Sequence, residues 1–188
     1  MRLAIVVGHS QSAQGAVAVD GVQEWAWQRV LAHQVEAAAT EAGHEVQVFY
    51  RPCGGYTRSM RALTAQVNRW APDLVVSLHF NAFPEAPGQR EVTGTMALHW
   101  PGSVAGRTWA VQLSAAVARA QGTRDRGARA QARSWSGASL WLLRSTRAPA
   151  VILETHYGDA ASDHAQATAA RDSWATARAI VAALPAAS

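Results

Sequence analysis

Apolar residues in this chain follow two rhythms. Leu3-Ala4-Ile5-Val6-Val7, Leu74-Val75-Val76-Ser77-Leu78 and Ala150-Val151-Ile152-Leu153 are short, nearly unbroken apolar runs. Such runs suit strands covered on both faces, as in a parallel sheet. Glu45 to Tyr50 alternates as a further strand, Val92 to Trp100 alternates well enough for a strand nearer a sheet edge, and Leu140 to Leu143 reads as a short strand. Between these segments the apolar positions step by three or four. Trp27, Leu31, Val35, Ala38 and Ala42 stripe a helix over about 22–42 that Gly43 stops. Met60, Leu63, Val67 and Trp70 mark a second helix, ended by Pro72, and Ala105, Trp109, Leu113, Ala116 and Ala120 a third. Ala170, Trp174, Ala177, Val181 and Leu184 stripe a closing helix. Residues 10–21 and 83–89 read as loops, and 121–137 shows no clear period. Strands alternating with helices predict one α/β domain over 1–188. Its sheet is expected to be twisted and mainly parallel, with helices on both faces.

Composition narrows the partners. The 188 residues carry a formal charge of +4, with 17 basic residues that are all Arg. A positive surface favours nucleic acid, anionic lipid or an anionic wall polymer, and equally describes a solvated face. No nucleic-acid-binding motif accompanies the arginines, so nucleic acid is not an expected partner. Seven of the 17 lie between Arg119 and Arg147, the expected contact region for an anionic wall. Cys53 is the only cysteine, which rules out a disulfide within the chain and a cysteine zinc cluster. The run Leu3 to Val7 is too short for a signal-peptide core, and no run would span a membrane. The expectation is a monomer that is cytoplasmic as encoded and has no membrane contact.

Candidate chemistry collects at strand ends. His9, His79 and Glu154 each follow an apolar strand, and a parallel sheet gathers such ends at one carboxyl edge, where open α/β folds place their ligands. Glu24 falls in the first turn of the helix that starts from that edge, with Asp20 as a rival on spacing. Two imidazoles and a carboxylate form a set that suits catalytic zinc, leaving Glu154 free as a general base and acid. Singly, each has a plainer role: a capping histidine, a carboxylate favourable at a helix start, a salt-bridge partner for Arg. Four together at one edge are hard to explain as packing. His156, two residues beyond Glu154, is a candidate for the cleft wall or a substrate contact.

In these pieces the chain resembles the zinc-dependent N-acetylmuramoyl-L-alanine amidases, the family of bacterial cell-separation amidases and many phage endolysins. The matching residues are Val7-Gly8-His9, Glu24, Arg51, Arg61 with Asn68 downstream, Ser77-Leu78-His79-Phe80-Asn81-Ala82, Gly94, Arg126-Gly127 and Pro149-Ala150-Val151-Ile152-Leu153-Glu154. They run in the family's order and cover nearly the whole chain. The resemblance implies one zinc per chain on His9, Glu24 and His79, which settles Glu24 over Asp20, and Glu154 as the catalytic carboxylate. Asn81, Arg126 and His156 are the expected substrate contacts. The implied substrate is peptidoglycan, cut at the amide between the lactyl group of N-acetylmuramic acid and L-Ala. A compact chain without a signal peptide fits a phage or prophage endolysin that acts on the wall after release. The alternatives are a zinc peptidase using the same four residues and a non-catalytic wall-binding module. Departures from the family pattern, Ser10-Gln11 after His9 and Thr155-His156-Tyr157 after Glu154, fall at the expected cleft rim.

Overall fold

The computed structural model describes residues 1–83, 92–134, 137 and 139–186. Among these residues six strands form one sheet: β1 (Arg2–Val7), β2 (Glu45–Tyr50), β3 (Leu74–Asn81), β4 (Thr95–His99), β5 (Asp125–Ala130) and β6 (Ala150–Tyr157). The helices are α1 (Glu24–Glu41), α2 (Tyr56–Trp70), α3 (Val104–Gln121), α4 (Trp141–Ser145), α5 (Ala161–Asp172) and α6 (Ala175–Ala182). The strand order is β2-β1-β3-β6-β4-β5. β2, β1, β3 and β6 are mutually parallel, whereas β4 pairs antiparallel with β6 and parallel with β5. This is the expected single-domain, mainly parallel α/β fold.

Strand alternation divides the core in two. Leu3, Ile5 and Val7 of β1 with Leu74, Val76 and Leu78 of β3 face α1, α3, α5 and α6, where Trp27, Leu31, Leu113, Val117 and Ile180 are buried. Ala4 and Val6, Val75 and Ile152 point the other way, against Met60, Leu63 and Val67 of α2 and Leu142 and Leu143 of α4. Among the described residues four helices therefore cover one face and two, one of them five residues long, cover the other. No helix among the described residues is long and apolar enough to cross a membrane.

Several elements depart from the periodicity. Leu140 to Leu143 is not a strand: residues 141–145 form the short helix α4. A four-residue apolar run is ambiguous between the two states, and Asn68 decides it here by donating to Ser145 O at 2.9 Å and accepting from Arg147 N at 2.9 Å. β5 emerges where no period was visible. It is an edge strand with exposed Asp125, Arg126, Arg129 and Ala130, and so needs little apolar patterning. β4 lies near the edge as expected, one strand in from β5, but all five of its residues are buried between β6 and β5. The closing helix breaks at Trp174, which sits at φ 63 and is 39% exposed, so the stripe does not run through it. The loop expected over 83–89 lies, from 84 onward, outside the described residues.

His156 occupies the core rather than the cleft. Its register explains why. His79 pairs with Glu154 but Asn81 pairs with Tyr157, so β6 carries one extra residue there and the alternation slips after Glu154. The His156 ring is fully buried, packed 4.7 Å from Trp27 and 5.1 Å from Phe80 between centroids. Its nitrogens meet Thr155 Oγ1 and His164 Nδ1, both at 3.0 Å. Burial, with the neighbouring His164, depresses its pKa from 6.5 to about 3. Above pH 6.5 the ring is neutral folded or unfolded and stability is unaffected. As pH falls below 6.5 the unfolded chain takes up a proton that the folded chain refuses until about 3, so stability is lost across that window. By about pH 5 this amounts to about 2 kcal/mol. Urea midpoints at neutral pH and near pH 5 are expected to show that loss, and His156→Gln should shrink it; an equal acid loss in the variant would assign it to other groups.

Candidate metal centre and cleft

Each side chain of the site is delivered by a different end of the fold. β1 stops at Val7, and Gly8 N donates to Leu78 O at 3.0 Å, tying the turn to β3. A Cβ on Gly8 would meet His79 Cε1 and Leu78 O at 2.5 Å, so only glycine passes here. His9 follows at φ 65, a left-handed backbone that is uncommon for a non-glycine residue and that turns its ring toward α1. His79 lies two residues before the end of β3, and Glu154 stands beside it on β6.

Glu24, the first residue of α1, is 3% exposed and lies between the two histidines. Its Oε1 is 2.8 Å from His79 Nδ1 and accepts from Phe80 N at 3.2 Å; its Oε2 is 2.9 Å from His9 Nε2 and accepts from Ala16 N at 3.1 Å. Burial alone would push this carboxyl up, but hydrogen bonds from His79 and His9 and their charges outweigh it and hold it at about 2. Burial likewise pushes the His79 imidazole down, and the bond to Glu24 with the charges of Glu24 and Glu154 reverses this and raises it. Ser77 Oγ lies 3.1 Å from His79 Nε2, which fixes the ring so that Nδ1 faces Glu24.

His9, Glu24 and His79 offer ligand atoms all within 4.8 Å of one another. Two imidazole nitrogens and a carboxylate are a donor set that fits zinc with one coordination position open. Glu154 stands apart from the three. Its Oε2 is buried and has no hydrogen-bond partner among the described residues. Burial raises its pKa to about 7, with the charge of His79 opposing and that of Glu24 adding. A carboxyl with that pKa can take and return a proton near neutral pH.

These groups open into a cleft of about 520 Å³. Because His79 and Glu154 continue the strand faces of Ser77 and Ile152, the cleft runs over the thinly covered side of the sheet. Met60, Leu63, Leu98, Leu142 and Trp141 make its apolar wall, and Asn81 and Arg51 its polar parts. Asn81 thus sits where a substrate contact was expected. Arg126 does not line the cleft; it donates to Thr93 O at 3.1 Å and lies over Tyr157. Asp20, the rival ligand on spacing, is 3.0 Å from His164 Nε2 instead. Arg51 and Gly15 were not singled out for any role. Arg51 reaches Ser10 Oγ at 3.2 Å, and no carboxylate among the described residues pairs with it. Arg51 is among the residues that match the family pattern, though without an assigned role, whereas nothing local distinguishes Gly15 from the other glycines.

Comparison with known proteins gives a consistent picture. The family profile described as N-acetylmuramoyl-L-alanine amidase matches residues 3–186. The catalytic domain of an endolysin targeting Clostridia difficile is similar at 25% identity and TM-score 0.80, covering 97% of this chain and 96% of that one. The catalytic domain of CwlV, an N-acetylmuramoyl-L-alanine amidase from Bacillus (Paenibacillus) polymyxa var. colistinus, superposes with TM-score 0.74 at 22% identity over 97% of this chain and 96% of that one. An N-acetylmuramoyl-L-alanine amidase from Clostridium difficile does so with TM-score 0.76 at 18% identity over 97% and 93%. No curated protein matches in sequence.

The glycines supply a test of the metal centre. A Cβ on Gly15, at φ +84, would meet Glu24 Oε2 at 2.5 Å and His9 Cδ2 at 2.6 Å, whereas one on Gly21, at φ +85, would meet nothing within 4 Å. Both substitutions strain the backbone by a similar amount, but only Gly15→Ala displaces two of the donors. Gly15→Ala is expected to lower zinc retention after dialysis by at least tenfold, in the range of ~10–100-fold typical of disturbed ligand support, with Gly21→Ala retaining it. Equal retention in the two variants would exclude this pair of side chains as ligands.

Proposed function

Since the chain belongs to the N-acetylmuramoyl-L-alanine amidase family, we propose that it is a zinc-dependent hydrolase of the amide joining the lactyl group of N-acetylmuramic acid to the L-Ala of the peptidoglycan stem peptide. The observation that carries this reading is the unpartnered, buried Glu154 oxygen beside the cluster of His9, Glu24 and His79 in an open cleft. In this reading His9, Glu24 and His79 hold one zinc. A zinc bound there would supply Lewis acidity, making water a usable nucleophile near neutral pH and offsetting negative charge on the carbonyl oxygen.

The chain's own residues do the rest. Glu154 accepts the proton of the attacking water as the new C–O bond forms. It then delivers that proton to the L-Ala nitrogen as the C–N bond breaks, so a neutral amine leaves rather than an amide anion. The products are a lactyl carboxylate and a stem peptide with a free L-Ala amine. Ser77 holds the His79 ring, and the hydrogen bonds from Phe80 N and Ala16 N hold Glu24. In this reading Asn81, which lines the cleft, orients the acyl group. The likeness to an endolysin catalytic domain supports a role in lysis of the wall after release from the cell.

Glu154→Gln keeps the shape of the side chain and removes its basicity. The variant is expected to keep zinc and melting temperature and to lose ~10²–10⁴ in turnover, the usual worth of general acid–base help. Loss of zinc would make Glu154 a ligand instead. Mass spectrometry of a wall digest by the parent chain should find intact stem peptides beginning with L-Ala. Peptides cut internally would identify a zinc peptidase.

A further inference from the structure

Charge is unevenly spread over this molecule. Residues 46–72 and 126–153 contain nine Arg and no Asp or Glu. All thirteen carboxylates lie elsewhere, with the other eight Arg. The fold brings the core of these two segments together: Tyr56 OH donates to Ser139 O at 3.1 Å, and Asn68 bonds both Ser145 and Arg147. Between α2 and α4 lies a groove of about 420 Å³, with Arg61, Arg69 and Arg147 in its walls. Arg144 lies close by, 5.8 Å from the Trp141 ring, with Arg61 at 5.6 Å. All four are exposed, and none has a carboxylate within ion-pair distance among the described residues. Trp141 lines this groove and also the cleft that holds Glu154. The arginines expected over 119–147 are thereby divided: Arg119 is on α3 and Arg126 and Arg129 are on the far edge strand, while Arg144 and Arg147 join those of α2.

We propose that the arginine groove between α2 and α4 is a docking site for the stem-peptide carboxylates of polymeric peptidoglycan lying next to the cleft. The identity of this ligand rests on the amidase reading above. Two features favour it. Uncompensated guanidiniums in a groove match carboxylates through paired N–H donors. Trp141 borders both, so the groove adjoins the cleft and lies within reach of a polymer engaged at Glu154. A small fragment that fills only the cleft would not reach Arg69 or Arg147, which line the groove and not the cleft.

The test is pelleting of the full chain with purified sacculi stripped of covalently attached phosphate polymers, over a salt series, alongside hydrolysis of a small soluble muramoyl peptide. The double variant R69Q/R147Q should bind sacculi about tenfold more weakly at low salt, the summed effect of two exposed charge contacts. Its salt dependence should flatten, since screening at 1 M already shortens electrostatic reach to about 3 Å. R69K/R147K should recover much of the binding, and R107Q/R119Q on α3 should bind like the parent. Hydrolysis of the soluble fragment should be unchanged in every variant. Capping the carboxylates of the sacculi with a neutral amine should erase the difference between parent and R69Q/R147Q. Parent-like binding of R69Q/R147Q at low salt would overturn the proposal. So would a defect that survives capping, or one seen only on unstripped walls or on double-stranded DNA, which would reassign the groove to a phosphate polymer or nucleic acid. Failure of the amidase reading would show separately, as no hydrolysis of the fragment by the parent chain.

Discussion

A carboxylate removed from water must be met by donors, and the region around Glu24 is organised by that demand. An unpaired buried carboxylate costs several kcal/mol. Glu24 avoids this with two histidine nitrogens and two backbone amides, supplied by β1's exit, β3 and the loop before α1. The start of a helix adds favourable polarity. The same contacts aim both imidazoles inward, so the arrangement that stabilises the charge also assembles the donor set.

The unequal cover of the two sheet faces gives this cluster its access. On the side of α1, α3, α5 and α6 the carboxyl ends are packed over, and His156 lies there as a core residue. On the side of α2 and α4 the cover stops short. Glu154 therefore keeps one face toward the cleft while burial still holds its proton to about pH 7. Two roles for carboxyls thus arise from environment alone: Glu24, rich in donors, stays ionised, and Glu154, without them, stays poised.

Local irregularities set the final directions. The left-handed backbone at His9 and the extra residue in β6 after Glu154 each interrupt a regular element at the place where a side chain must change heading. Gly8 and Gly15 make room beside the rings. Strained or bulged backbone near a functional cluster is sustained by the packing around it.

The fold class, the carboxyl-edge placement of His9, His79 and Glu154, and the nearness of Glu24 were legible in the chain. Apolar runs and helical stripes report burial directly, and parallel strands must bring their ends to one edge. The strand pattern also contained β2 with its observed bounds. What local pattern could not carry was decided by tertiary contacts. Leu140 to Leu143 became helix because Asn68, far away in sequence, satisfies the backbone that follows it. β5 formed with little apolar signal because an edge strand needs only one neighbour. Trp174 left its stripe because a left-handed residue breaks the helix there. His156, two residues from Glu154, turned from cleft to core because one inserted residue reverses the face of every position after it. Periodicity reads how a residue repeats along its own element; register, bulges and the pairing of distant segments depend on partners that no single stretch contains.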